Sequence, residues 1–290
     1  MAISPFTEPA AAQSGAAPTL PKPPARPPEA SALTLAATQR LRELAGQDPG
    51  FGPLTSALRH LAKWRAAVLE NTLVAQSGQV VLSGPFQGMT YDVPASEGSR
   101  TARLLGVYEA SLAPVIEAII ARAYPLVIDV GSAEGYYAVG LARRMPGARV
   151  LARDENPKAQ VLCATLAAHN RVQVDIGGRM DHADFALCAD QPTVIICDIE
   201  GAEGALLDPV AAPGLIHADI LVEVHEGMQP GLLALLQARF AATHRITRLD
   251  RRLDDSALPD WAERLSDLDR LLLLWEWRAT PTPWLWMERQ

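Results

Sequence analysis

From residue 125 onward the chain alternates short apolar runs with helix-forming segments, and this alternation restricts the fold more than any other feature. The runs are Leu126–Val130, Arg149–Arg153, Val172–Asp175, Thr193–Cys197 and Ile220–His225. Between them lie Tyr136–Arg144, Lys158–His169, Phe185–Ala189, Gly204–Leu207 and Pro230–Ala241, the fourth too short to assign by itself. Buried strands separated by helices must return in one direction through right-handed crossovers, which gives a parallel sheet covered on both faces. A sixth strand is expected at His244–Leu249 and a seventh at Leu271–Trp277, with no helix-length apolar period between them. The expected class is α/β.

Upstream the pattern changes twice. The first thirty residues hold eight prolines and eight alanines, densest in "LPKPPARPPEA". Proline fixes φ and removes a donor, and few large side chains are available to bury, so 1–33 reads as a disordered tail. It has neither the apolar core nor the positive charge of a targeting peptide. Over 34–98, helical periodicity at Thr34–Gln47 and Leu54–Gln76 is followed by "QVVLSGPFQGMTYDVP", which suggests a β-hairpin. This region reads as a cap whose helices cover the main domain or pair two copies of the chain. A further helix is expected at Arg103–Arg122, and 99–290 form the main domain.

The 33 acidic against 26 basic residues give a formal charge of −7, which argues against a protein that grips phosphate backbones. Cys163, Cys188 and Cys197 sit in apolar runs with neither disulfide nor CxxC spacing, so a reducing, cytoplasmic setting is expected. No membrane span is expected either. Five of the six tryptophans fall at 261, 275, 277, 284 and 286, where they either cover a sheet edge or face a substrate.

The most informative motif is "LVIDVGSAEGYYAVGLARRM", Leu126–Met145. A strand ends at Asp129, a glycine turn follows, and a helix begins near Tyr136. Ligands of open α/β sheets bind beyond the carboxyl ends of the strands. The spacing Gly131-xxx-Gly135 differs from the GxGxxG of a pyrophosphate loop. A carboxylate before the turn would repel pyrophosphate but accept from an ammonium group. Asp154, twenty-five residues later at the end of the second strand, could accept both hydroxyls of a ribose, or simply cap the turn before Asn156-Pro157.

These motifs together resemble the class I S-adenosylmethionine-dependent methyltransferases, and "CDIEGAE" (Cys197–Glu203) resembles the fourth-strand motif of the FkbM-type family. The resemblance covers Ser99 to Trp277. It implies a Rossmann-like, seven-stranded, mostly parallel sheet with the last strand antiparallel, and S-adenosyl-L-methionine as cofactor. It further implies that Asp129, Gly131, Ser132 and Gly135 hold the methionine end, with Tyr136 and Asp198 alongside. Asp154 would hold the ribose, and Met180 and Asp181 would border the adenine. The chain departs from the family form at "ARDENP", where Arg153 replaces the usual aromatic.

The methyl acceptor should lie where the fourth and fifth strands end. Asp198 and Glu200 leave the fourth strand, and Glu223 and His225 share a face of the fifth. A carboxylate inside a buried strand needs a partner. Three readings remain open. His225 is a general base oriented by Glu223 or Glu226, with Asp198 and Glu200 beside it. Alternatively Asp198, Glu223 and His225 bind Mg²⁺ or Mn²⁺. Otherwise Glu223 pairs with an arginine such as Arg179 or Arg245. His169, His182, His217 and His244 read as surface or capping residues.

Family resemblance and the acidic fourth-strand motif imply a small-molecule hydroxyl or carboxyl acceptor, such as a sugar or natural product, rather than nucleic acid or a membrane. The rivals are a protein or RNA methyltransferase and a cofactor-binding scaffold without turnover.

Overall fold

The computed structural model of the chain describes residues 30–290 apart from 49, 97, 279 and 281. Most of the proline-rich segment lies outside the described residues; its expected end at 33 overlaps a helix that starts at Ala32. In chain order the elements are α1 (Ala32–Ala45), α2 (Phe51–Ser77), α3 (Arg100–Leu105), α4 (Ala113–Arg122), β1 (Leu126–Val130) and α5 (Tyr136–Arg144). There follow β2 (Arg149–Arg153), α6 (Pro157–His169), β3 (Asp175–Gly177), β4 (Thr193–Cys197), α7 (Glu203–Leu206) and β5 (Ala218–Glu223). The chain ends with α8 (Leu232–Phe240), β6 (His244–Leu249), α9 (Asp267–Leu273) and β7 (Trp284–Arg289).

One seven-stranded sheet runs β3-β2-β1-β4-β5-β7-β6. Five strands are parallel neighbours, with Val130 opposite both Arg153 and Cys197, and Cys197 opposite Val222. β7 inserts antiparallel between β5 and β6, with Glu223 opposite Trp284. This is the Rossmann-like sheet expected from the sequence. The strand order reverses direction between β1 and β4, the position in open α/β sheets beyond whose carboxyl ends ligands bind.

Strand alternation sorts the core into two layers. Val127, Val150, Val194, Ile196 and Leu221 point to one face with α5 and the cap; Ile128, Leu151, Ile195, Ile220 and Val222 point to the other with α8. Gly140 lets the cap dock: a Cβ there would lie 2.5 Å from the Phe86 ring. Phe86 packs edge-on to Tyr136, with centroids 5.3 Å apart.

Several boundaries differ from the sequence reading. The expected seventh strand, Leu271–Trp277, begins as α9 instead. Ser266 caps that helix by accepting from the Asp269 amide, and its leucines bury at helical spacing, Leu272 and Leu273 in and Leu268 and Leu271 out. The true seventh strand is the last apolar segment. β3 sits later, at Asp175–Gly177, and the expected hairpin is a single bridge, Val80 to Thr90, around a compact turn.

Arg100–Arg122 is, by length and mean hydropathy of 1.6, apolar enough to cross a bilayer, contrary to the expectation that no stretch would be. In the fold this stretch is α3, a turn through Gly106 at φ 80°, a short 3₁₀ segment and α4, with Ile116 and Ile119 buried in the core.

Alanine is the better helix former by about 1 kcal/mol, yet Gly140→Ala is expected to destabilise the chain by about 1–3 kcal/mol because the Phe86 ring must move. Chemical denaturation measures this; a stabilised variant would contradict the docking described.

Candidate functional site

β4 ends at Cys197 and its last polar partner, Asp198, donates its amide to Val130, holding the ends of β1 and β4 together. The chain then reverses through Glu200 at φ 52° and Gly201 at φ 100°. Two consecutive left-handed residues are costly except where glycine takes one of them, and here a Cβ on Gly201 would also sit 2.8 Å from Met228. The reversal aims Glu203, the first residue of α7, back beneath the strand end.

Glu203 is fully buried. Its Oε1 accepts from His225 Nδ1 at 2.7 Å and from the amides of Ile199 at 3.3 Å and Gly201 at 3.2 Å. Oε2 has no partner. Burial would raise the Glu203 pKa, but the His225 hydrogen bond and the backbone donors bring it below the ordinary range. With Nδ1 engaged, His225 Nε2 faces Glu200 at 3.4 Å, Asp198 at 3.6 Å and Glu223 at 3.9 Å. Burial lowers the His225 pKa, but the Glu203 hydrogen bond and the charges of Glu223, Glu203 and Glu200 outweigh it and hold it above its usual value. The orienting group is therefore Glu203, neither Glu223 nor Glu226. Glu226 is half-buried and accepts from the amides of Gly231 and Leu233 at the start of α8.

The partner of Glu223 is Arg278, not Arg179 or Arg245; Arg245 pairs with Glu288. Arg278 also pairs with Glu109 and, at 2.8 Å, with Glu276. Glu109 is buried at φ 49° and accepts from the Tyr137 hydroxyl and from Trp284 Nε1 at 3.2 Å. Burial, together with the Glu223 charge, pushes the Glu109 carboxyl up to about 7. Asp198 is raised well above the carboxylate range by burial and by Glu223 and Glu109, and its Oδ1 has no hydrogen-bond partner.

Asp198, Glu203 and His225 offer ligand atoms within 4.8 Å of one another, a spacing open to a cation. The Glu203 and His225 atoms, however, already share a hydrogen bond, and Glu223 already holds the guanidinium of Arg278. The donor chemistry thus favours an oriented imidazole over a metal centre.

On the other side of the strand junction, Asp129 is buried and its Oδ2 has no hydrogen-bond partner among the described residues, an orphaned acceptor that an ammonium group would satisfy. Burial, with smaller contributions from Asp154 and Glu134, pushes its carboxyl up to about 7 despite a hydrogen bond from the Ala138 amide. The turn after it is shaped by close approach: a Cβ on Gly131 would fall 1.6 Å from the Asp198 carbonyl oxygen, and one on Gly135 2.6 Å from Cys163 Sγ. The amides of Gly131 and Ser132 donate to the Arg153 carbonyl at 2.8 and 3.2 Å. Asp154 accepts from the Ala133 amide at 2.9 Å and the Asn156 amide at 2.8 Å, so it ties the glycine turn to the end of β2 and also shapes its own turn.

Tyr136 is buried in an aromatic cluster with Phe86, Tyr91 and Tyr108. Met180 is buried just past β3, and Asp181 caps the 3₁₀ segment His182–Ala189 through a reciprocal pair with Asp184. The groups expected to hold a cofactor and those expected to act on an acceptor thus meet at the ends of β1, β2, β4 and β5.

Three residues escaped the sequence reading. Glu134 accepts from Tyr91 Oη at 2.6 Å and the Ser96 amide at 2.8 Å and pairs with Arg103 at 3.0 Å, locking the cap over the glycine turn. Glu109 and Arg278 are the others; a lone acid among the apolar residues of "GVYEASL" and a lone arginine after "LWEW" were the only signals. His244, expected at the surface, is buried with Nε2 against the Ala218 carbonyl.

No family model matches the chain, and no curated protein matches it in sequence. Among solved structures it is similar to the O-methyltransferase from Bacillus cereus in complex with SAH, at 11% identity over 87% of this chain and 97% of that one, with a TM-score of 0.41. It is likewise similar to the O-methyltransferase TomG from Streptomyces achromogenes with SAM, at 12% identity over 68% and 84%, TM-score 0.39. The human methyltransferase 10 domain containing protein matches at 12% identity over 76% and 94%, TM-score 0.42. Likeness at this level carries no information about activity.

The Asp129 carboxyl titrates well above the ordinary 3.8, so its ionisation opposes folding; this cost grows as the pH rises from about 4 to about 7. Asp129→Asn is expected to melt above the parent at pH 8, by up to about 4 kcal/mol of stability, with the gap closing near pH 4. Scanning calorimetry at the two pH values checks this; a variant less stable than the parent at pH 8 would contradict the burial described.

Proposed function

We propose that this chain is an S-adenosylmethionine-dependent methyltransferase that transfers a methyl group to an oxygen of a small molecule. The observation that carries the reading is His225: its Nδ1 is fixed by buried Glu203, and its Nε2 lies among Asp198, Glu200 and Glu223. The orphaned Asp129 and the FkbM-like "CDIEGAE" support it. S-adenosylmethionine, when bound, supplies an electrophilic methyl group on a sulfonium.

The residues of this chain then have separate tasks. Asp129 accepts from the amino group, and Gly131, Ser132 and Gly135 shape the turn beside it. Asp154 turns from the Ala133 amide toward the ribose hydroxyls, while Met180 and Asp181 flank the adenine. His225 takes the proton of the acceptor hydroxyl at Nε2, and Glu203 keeps Nδ1 protonated and stabilises the imidazolium that results. Asp198 and Glu200 are acidic neighbours that accept from the acceptor or favour the charged imidazole. Alignment of acceptor oxygen, methyl carbon and sulfur contributes most of the rate.

A base must be neutral to act, so transfer falls as the pH drops through the His225 pKa, which lies above the ordinary histidine value. Glu203→Gln removes an interaction that raises that pKa, and the acid limb of the rate profile is expected to move to lower pH. His225→Ala is expected to lower transfer by about 10²–10⁴-fold. Labelled-methyl transfer to a panel of hydroxylated sugars and natural products, measured across pH, reads both. An unmoved limb in Glu203→Gln, or a His225→Ala rate within about threefold of the parent, would contradict the assignment. Exhaustive chelation should leave the rate unchanged.

A further inference from the structure

α2 and α9 border an open groove of about 430 Å³ with an apolar floor of Leu58, Ala62, Leu253, Leu271, Leu272 and Trp275. The apolar surface extends along both walls. On α2, Phe51 is 87% exposed, and Leu54, Leu58 and Leu61 follow one another along one face at helical spacing; across the groove, Leu268 is 65% exposed. Contiguous apolar surface of this kind marks an interaction site more often than a solvated face.

The two walls carry opposite charge. Residues 51–66 hold Arg59, Lys63 and Arg65 and no acid. Residues 251–270 hold Asp254, Asp255, Asp260, Glu263, Asp267 and Asp269 against Arg251, Arg252, Arg264 and Arg270, and Arg251 is held by Glu276. Arg65 of α2 and Asp269 of α9 satisfy each other, with both hydrogen bonds at 2.7 Å. Arg59 and Lys63, the latter 4.6 Å from the Trp277 ring centroid, lie on α2, while on the other segment the exposed Asp254, Asp255, Asp260, Glu263 and Asp267 outnumber Arg252, Arg264 and Arg270. A surface that is apolar in the middle, basic on one side and acidic on the other is complementary to itself.

We propose that a second copy of this chain covers this face, related by a two-fold axis that runs along the groove. Such an axis lays α2 of one copy over 253–268 of its partner, and the reverse contact follows by symmetry. Leu54, Leu58, Leu253 and Leu271 then bury against one another while Arg59 and Lys63 meet acids. A two-fold axis across the groove would instead stack α2 on α2 and place Arg59 and Lys63 beside their own copies, which like-charge repulsion disfavours. The contact borders the candidate site: Arg251, on the groove wall, holds Glu276 at 2.8 Å, and Glu276 also holds Arg278.

Sedimentation equilibrium on the full chain tests the proposal without any assay of activity. The parent is expected to sediment as a dimer, with association weakening as salt is raised. Leu58→Glu with Leu271→Glu, both at exposed positions, should give a monomer that still unfolds in one cooperative transition. Two charge-reversed variants test the axis, Arg59→Glu with Lys63→Glu, and Asp255→Lys with Glu263→Lys. Each alone should dimerise at least about tenfold more weakly, because both halves of its interface become like-charged. Mixed in equal amounts they should recover a heterodimer, since each basic wall again meets an acidic one. A parent that stays monomeric at every concentration overturns the dimer. A dimer indifferent to the leucine changes, or a mixture that does not recover association, overturns the face and its axis.

Discussion

The candidate site depends on one buried hydrogen bond, from His225 Nδ1 to Glu203 Oε1. A carboxylate with no exposure is costly unless something neutralises it, and an imidazole held on one nitrogen presents the other in a fixed direction. Each group thus solves the other's difficulty. The pair forms only because Glu200 and Gly201 adopt left-handed backbone and turn α7 back under the end of β4. The local motif, the strand junction and the direction of Nε2 are consequences of a single constraint.

A second buried network sets the boundary of that site. Arg278 spans Glu109, Glu223 and Glu276, joining the segment before α4, the end of β5 and the segment before β7. Arg278 and Arg251 together supply two guanidiniums for these three carboxylates, which leaves excess negative charge, and burial together with that charge raises the Glu109 and Asp198 carboxyls. Acids crowded beside a histidine favour its protonated form, which is the form a base must reach after accepting a proton. They also favour cationic groups nearby, in keeping with a sulfonium donor. Cap and sheet are joined in the same manner by Glu134, which holds Tyr91, Ser96 and Arg103 over the glycine turn.

What could be read from the sequence follows physical range. The strands β1, β2, β4 and β5 are short apolar runs between helices, and their ends fixed the positions of Asp129, Asp154, Asp198 and His225. The seventh strand was displaced because "LLLLWEW" is apolar throughout, and such a run does not distinguish a strand from a buried helix; the cap at Ser266 does. Glu203 was visible within its motif, but its role was not, since that depends on the left-handed turn at Glu200. Arg278 and Glu109 meet across 169 residues and Arg278 and Glu223 across 55, and no local pattern encodes either contact.

The central claim is that the ends of β1 and β2 hold S-adenosylmethionine. Its most direct test is calorimetric titration of S-adenosylmethionine into the full chain and into the Asp129→Ala and Asp154→Ala variants. One molecule should bind per chain, and each variant should bind at least about tenfold more weakly, a loss of about 1.4 kcal/mol. No binding to the parent, or equal affinity in all three proteins, would contradict the account.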